Sequence, residues 1–287
     1  MRVHTIITHP GGAHKDDVLA VSLLIAEHGA RVLRREPTAE ELDDPGVAIV
    51  DIGGVHDATR MCFDHHHFPR EHEPTCALSL VLMHLGLYDD ARQLCDWLEP
   101  AEWFDSRGPK KTAEWLGVPR AAIAQLHSPV DVTLLRRFAQ ASELEPGETL
   151  YEFMRLVGQD LLDYLKSSRA QLDALGACIE RWAVPAKGEV VETLVLRRDA
   201  LNLEEPSAAL ARYARMEGLE ATIAALIYPD RRGDGYGITR FDDHPRLDFS
   251  ALVDEPDVHF AHQSGFMCKT SATERGRLEE LLERAWR

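Results

Sequence analysis

Residues 2–28 read RVHTIITHPGGAHKDDVLAVSLLIAEH, and the fold is decided there. Residues 2–8 read as a short buried strand, rich in β-branched side chains. It stops at His9, where Pro10-Gly11-Gly12 signals a turn. Residues 15–28 then carry apolar side chains at helical spacing. Asp16 and Asp17 stand in the first turn, where carboxylates complement the helix dipole. A second strand is expected over 30–35, followed by an acidic loop. A third is expected over 47–54, VAIVDIGG, which closes on Asp51 and two glycines. This order of strand, helix, strand and strand predicts an α/β fold with a parallel sheet.

Working outward, 75–98 reads as helical, as does much of 112–145, with interruptions at Pro119 and near Pro129. Leu150, Phe153, Leu156, Val157, Leu161, Leu162 and Leu165 recur at three and four, predicting a long helix over 148–182. A break is expected at 183–189. Beyond it, strands at 190–197 and 221–229 flank a helix at 205–217. A further strand at 235–241 and a charged helix at 271–287 complete the chain. The expected organisation is an N-terminal parallel-sheet domain over 1–145, a helical connector over 146–184, and a smaller C-terminal α+β domain over 185–287. No internal repeat or low-complexity segment is visible.

The 287 residues carry 32 Lys and Arg against 48 Asp and Glu, a formal charge of −16. An acid excess of this size argues against duplex-DNA binding, which needs cations against the phosphate charge. It still allows a small cationic centre on an acidic body. No apolar run approaches the roughly 20 residues that span a bilayer, so no membrane association is expected. The N-terminal residues lack a signal peptide's apolar core, and a cytoplasmic location is the expectation. The five cysteines form no CxxC pair and read as free thiols.

Histidine is the anomaly. Ten of the 14 lie before residue 85. Four segments concentrate metal-type ligands: His9, His14 and Asp16; Asp51; Asp64-His65-His66-His67; and Asp105. His9 and Asp51 sit at expected strand ends, where open α/β sheets bind ligands. Imidazoles and carboxylates without a thiolate pattern suit Mn, Fe, Zn or Co better than a structural zinc site. The set exceeds what one tetrahedral ion uses, so two divalent ions are expected. His14 and Asp16 stand two apart at a helix start and point in different directions, which fits one residue per ion. Each residue alone has a plainer explanation: Asp16 and Asp17 as helix caps, Asp51 as a turn, the histidine run as exposed surface, His84 as a packed or exposed side chain. Their coincidence points to a metal site.

At these residues the chain resembles the DHH phosphoesterase superfamily, and within it the MYG branch. The block Thr8-His9-Pro10-Gly11-Gly12-Ala13-His14-Lys15-Asp16 matches that branch's opening pattern. Val50-Asp51-Ile52-Gly53-Gly54 matches its second block, and Asp64-His65-His66 the Asp-His-His block. His262-Gln263-Ser264-Gly265-Phe266 matches a segment near the C-terminus. Ala13, where phenylalanine is common, and a shortened Met267-Cys268 before Lys269 depart from the pattern.

The resemblance implies a DHH-type catalytic domain and a second, substrate-binding lobe. It implies that His9, His14 and Asp51 hold one ion, and that Asp16, Asp51, His65 and Asp105 hold another. Mn2+ is the first choice, with Mg2+, Co2+, Fe2+ or Zn2+ as alternatives. His66 would contact phosphate or protonate the leaving group, and Asp64 would orient His65. Asp105 is carried over from an Asp-Asn-Gly turn that here reads Asp105-Ser106-Arg107-Gly108. Arg240, His262, Ser264, Gly265 and Lys269 would bind substrate phosphate, two of them through backbone N–H groups. Two divalent ions about 3.5–4 Å apart stabilise in-line displacement at phosphorus. The implied activity is phosphodiester hydrolysis like that of MYG-type 3′–5′ RNA exonucleases, on a phosphate-ester partner such as short RNA or a nucleotide. A small-nucleotide or pyrophosphate phosphatase, and an inactive metal-binding regulator, are the alternatives.

Overall fold

In the computed structural model of the chain, the described residues are 2–125, 128–198, 203, 205–231 and 233–287. Contacts divide the chain into two units, 1–168 and 169–287. No helix among the described residues is long and apolar enough to cross a membrane.

The first unit begins with β1 (Thr5–Thr8), α1 (Lys15–His28), β2 (Arg31–Arg34), a one-turn helix α2 (Ala39–Leu42) and β3 (Val47–Val50). β4 (His56–Asp57) and β5 (Cys62–Phe63) follow. Then come α3 (Ala77–His84), α4 (Tyr88–Leu94), α5 (Leu98–Leu116), α6 (Arg120–Gln125), α7 (Pro129–Gln140), β6 (Glu143–Leu144) and α8 (Thr149–Leu175), whose residues from 169 on fall in the second unit. The sheet order is β4-β5-β3-β1-β2-β6. Its four central strands are parallel and its two edge strands antiparallel. β1 and β3 are buried on both faces; Val47–Val50 is an unbroken apolar run, and in β1 the β-branched Thr5 and Thr8 flank Ile6 and Ile7.

β1 lies at the centre with β3 directly beside it. The register pairs Thr8 with Val50, so the two chains leave the sheet side by side. His9 and Asp51 therefore emerge at the same edge, the carboxyl end of parallel strands. α1 follows β1 and packs against α3. α8 crosses it very closely: a Cβ added at Gly158 would fall 2.0 Å from the Ser22 carbonyl oxygen.

The second unit holds β7 (Ile179–Ala186), β8 (Glu189–Leu196), α9 (Pro206–Met216), β9 (Ile223–Pro229), β10 (Tyr236–Arg240), β11 (Val258–Ala261), β12 (Met267–Thr270) and α10 (Arg275–Ala285). The sheet order is β11-β12-β10-β9-β8-β7, antiparallel except for the β8–β9 pair, which α9 connects. One face buries Val184, Val191, Ile227, Ile238 and Cys268 against Leu278, Leu281 and Leu282 of α10.

The α/β class is as expected, and several elements differ from the sequence reading. The helix expected over 148–182 ends at Leu175. Residues 179–186 are instead a strand that buries Trp182, Val184 and Ala186 in alternation. The expected break at 183–189 narrows to a turn at Lys187 and Gly188. Both take positive φ there, the geometry of a tight hairpin. The helical run expected over 112–145 contains β6, and its residues 126 and 127 lie outside the described residues. The helix expected over 75–98 divides into α3 and α4 at Gly86. α5 begins well before residue 112. The pairs β4–β5 and β11–β12 are additional, their strands too short to show a periodicity. All five cysteines are unbridged.

Candidate metal centre

The turn after β1 begins the site. Gly11 takes a positive φ of 87°, letting the chain double back between His9 and His14. The His9 ring pairs its Nδ1 with the Pro10 carbonyl at 3.0 Å, which assigns the proton to Nδ1 and the lone pair to Nε2. That Nε2 stands 3.0 Å from Asp17 Oδ2 and 3.4 Å from Asp51 Oδ2.

Asp16 and Asp17 open α1 and are both buried. Asp17 does two things. Its Oδ1 accepts the backbone N–H of His14 at 2.9 Å, a capping contact, while Oδ2 faces His9. The cap reading of Asp17 captures only the first. Asp17 is the site residue that sequence reasoning missed. Its signal was a carboxylate three residues beyond His14 at the start of an apolar helix.

Asp51 follows β3 with φ at 58°, in the left-handed region that Asp tolerates better than most residues. Its N–H still pairs with the Phe63 carbonyl. This backbone turn sets the carboxylate between two groups of imidazoles. Oδ1 lies 3.1 Å from His65 Nε2 and 3.7 Å from His66 Nδ1. His65 Nε2 also lies 2.8 Å from Asp105 Oδ2, and His14 Nδ1 lies 3.6 Å from Asp105 Oδ1.

Asp105 lies on a helix, where the resemblance placed a turn. α5 carries it one turn ahead of a break at Gly108, φ 77° and ψ 167°, followed by Pro109. Behind it on the same helix, buried Glu102 accepts hydrogen bonds from Ser79, Tyr88 and Arg92 at 2.7–2.8 Å.

Asp64 binds a different neighbour from the one the resemblance implied. Its Oδ1 accepts from His66, at 2.7 Å from Nδ1 and 3.0 Å from the backbone N–H, and its Oδ2 accepts the Gly54 N–H. It orients His66 where the resemblance had it orient His65. The hydrogen bonds from His66 and Gly54 outweigh burial and hold the Asp64 carboxyl below its usual range.

The electrostatics of the cluster are unfavourable for the protein alone. Asp16 is 1% exposed, and neither of its oxygens has a hydrogen-bond donor. Burial, then the Asp105, Asp51 and Asp17 charges, push its carboxyl well above the ordinary value. Burial likewise raises Asp51. His65 is opposed by burial, but the Asp105 and Asp51 carboxylates win and push it up to about 10. The Asp17 carboxylate raises His9. His9 Nε2, Asp17 Oδ2, Asp51 Oδ1 and His65 Nε2 are close to opposite charge yet lack a hydrogen bond of acceptable geometry. Buried nitrogen and oxygen atoms that converge without a satisfied hydrogen bond fit a shared cation better than they fit one another, once the imidazoles give up their protons.

Among the described residues, three overlapping groups have ligand atoms mutually within 4.8 Å: His9, His14 and Asp51; Asp51, His65 and His66; and Asp16, Asp51, His65 and Asp105. Asp51 belongs to all three. Each side chain offers nitrogen or oxygen, so the donors present fit hard or borderline divalent ions.

The remaining expected residues lie on the second unit. Arg240 ends β10, its guanidinium 2.9 Å from Asp243. His262 Nδ1 meets the Ser264 hydroxyl at 2.7 Å and accepts the Ser264 N–H. The Gly265 N–H goes to the His262 carbonyl. Both backbone donors expected to face an anion are thus taken within their own turn. Lys269 pairs with Asp230 at 2.7 Å.

Residues 5–86 match the MYG1_exonuc family model, described as an uncharacterised protein family (UPF0160). The match covers β1 through α3 and agrees with the MYG-branch resemblance of the Thr8–Asp16, Val50–Gly54 and Asp64–His66 blocks. A comparison with curated proteins gives no match.

Proposed function

We propose that the chain is a metal-dependent phosphoesterase that cleaves phosphodiester bonds from the 3′ end of short RNA. One observation carries this reading: the ligand groups on either side of Asp51 share its carboxylate. His9, His14 and Asp51 would hold one divalent ion, Mn2+ for preference. Asp16, Asp51, His65 and Asp105 would hold the second. Such a pair supplies Lewis acidity and a reactive water for in-line attack at phosphorus.

The chain's own residues do the rest. Asp51 sets the spacing of the two ligand groups. The bond from His66 Nδ1 to Asp64 leaves Nε2 of a largely exposed ring open, and as an imidazolium, with a proton on each nitrogen, the ring would give the Nε2 proton to the departing oxygen and return to the neutral form. Burial of Asp16, Asp17 and His65 keeps bulk water away from the inner wall of the site. Arg240, His262, Ser264, Gly265 and Lys269 are proposed contacts for substrate phosphate within their own unit. A phosphate there would compete with Asp243 for Arg240, with Asp230 for Lys269, and with His262 for the Ser264 and Gly265 N–H groups.

The test uses the full chain loaded with Mn2+, with bis-p-nitrophenyl phosphate and a short RNA labelled at either end. Stepwise loss of mononucleotides from the 3′ end is expected. It should vanish in the Asp51→Ala, His65→Ala double variant, and full activity in that variant overturns the mechanism. A second reading, a small-nucleotide or pyrophosphate phosphatase, is favoured by the charge of −16, because small ligands need no basic track. Turnover of dinucleotides far above that of longer strands would select it.

A further inference from the structure

Arg34 ends β2, directly beside Thr8 in the parallel register, and is 4% exposed. Its Nη1 donates to the Gly11 carbonyl at 3.2 Å and the Phe138 carbonyl at 2.9 Å. Its Nη2 donates to the Gly12 carbonyl at 2.8 Å. The guanidinium also lies over the Phe138 ring, 4.5 Å from its centroid. An arginine is buried at a cost, and it stays buried only where acceptors are fixed around it. The acceptors here are two consecutive carbonyls of the loop that joins His9 to His14.

We infer that Arg34 is the positioning residue for the His9–His14 half of the site, and that it governs one of the two metal positions and not the other. This rests on the two-metal reading above. The planar fork holds the Gly11 and Gly12 carbonyls. Asp17 takes the His14 N–H and faces His9 Nε2, and its charge also acts on Arg34. The loop is therefore held at its carbonyls by a cation and at its amide and imidazole by an anion. His65 and Asp105 come from the turn after β5 and from α5, elements to which Arg34 makes no hydrogen bond among the described residues. Loss of Arg34 frees the loop and leaves the Asp16, Asp51, His65 and Asp105 group standing.

The experiment titrates Mn2+ into the metal-free full chain. Calorimetry counts ions, and electron paramagnetic resonance detects exchange coupling between neighbouring Mn2+ ions. Wild type should take two ions and show coupling. Arg34→Met should keep one tight ion, bind the other roughly 10–100-fold more weakly, and lose coupling at two equivalents. Circular dichroism and metal-free melting report folding. If Arg34→Met does not fold, Arg34→Lys decides, since an ammonium keeps the charge but cannot span both loop carbonyls and the Phe138 carbonyl. Two tight, coupled ions in the folded variant overturn the inference alone, as does equal weakening of both. Failure of both variants to fold assigns Arg34 to stability and overturns it too. A wild-type chain that takes fewer than two ions overturns the two-metal reading itself, and this inference with it.

Discussion

His65 Nε2 lies 2.8 Å from Asp105 Oδ2, joining the turn after β5 to a helix from a distant part of the chain. Without metal, this contact and Asp51 keep the imidazole protonated up to about pH 10, above its ordinary 6.5. A histidine whose folded value is raised adds stability that is full below 6.5 and is lost as pH rises through about 10. Metal-free protein should therefore lose up to a few kcal/mol between those limits. Urea unfolding at stepped pH measures it, and His65→Gln should flatten the slope. An equal slope in that variant would place the titration elsewhere.

The same protons oppose metal. Nitrogen ligands bind cations only when deprotonated, so uptake by His65 and by His9, itself raised by Asp17, releases protons. Mn2+ affinity should climb with pH from 6 to 9, with calorimetry in two buffers reporting proton release. A flat affinity over that interval would mean that neither ring is a ligand.

In the proposed reaction His66 acts late. Its ring is tied to Asp64 through Nδ1 at 2.7 Å. If Nε2 protonates the leaving oxygen, His66→Gln should lower turnover of RNA by about 10²–10⁴-fold. A p-nitrophenolate leaves without help, so the loss with bis-p-nitrophenyl phosphate should be much smaller. Equal losses on both substrates would assign His66 to binding.

Gly158 tests the scaffold under α1. Its missing side chain allows α8 to approach the Ser22 carbonyl, and a Cβ would sit 2.0 Å from that oxygen. Backbone cannot yield as a side-chain tip can. Gly158→Ala should cost about 2–3 kcal/mol in unfolding free energy, where an open helical glycine would gain about 1 from the same change. A stabilised variant would show that the two helices separate readily.

The legible parts of the chain were those with long periodicity or chemically rare residues. The 2–28 stretch announced β1, α1 and the site edge, because a β-branched run, Thr5-Ile6-Ile7-Thr8, ending at His-Pro-Gly-Gly leaves few alternatives. His9, Asp51 and His65 share no sequence neighbourhood. What linked them was the rule that parallel strands gather ligands at their carboxyl ends, and Thr8 beside Val50 realises it. Asp17 was hidden because a capping carboxylate and a site carboxylate look alike in sequence, and here one side chain is both. Asp105 was read through the turn it resembled, while Gly108 and Pro109, the real break, lie three and four residues later. Two-residue strands such as β4 and β5 are set by tertiary pairing alone and leave no pattern to read.

Asp16 should show a reversal of sign. Its carboxyl is 1% exposed, has no donor, and faces the Asp105, Asp51 and Asp17 charges. A carboxyl whose folded value is raised makes the native state hold its proton to higher pH than the unfolded chain does. The penalty is therefore absent in acid and grows as pH rises above 3.8 toward the folded value. At neutral pH, Asp16→Asn should stabilise the metal-free protein by about 1–2 kcal/mol, as removal of uncompensated function-bearing charge commonly does. With Mn2+ the order should invert. Wild type gains about 2.7 kcal/mol at a hundredfold excess over its dissociation constant. The variant, short of one ligand on the second ion, should gain much less. Melting curves of both proteins with chelator and with excess Mn2+ give the four values needed. A variant less stable than wild type in chelator would show that Asp16 supports the fold rather than a cation.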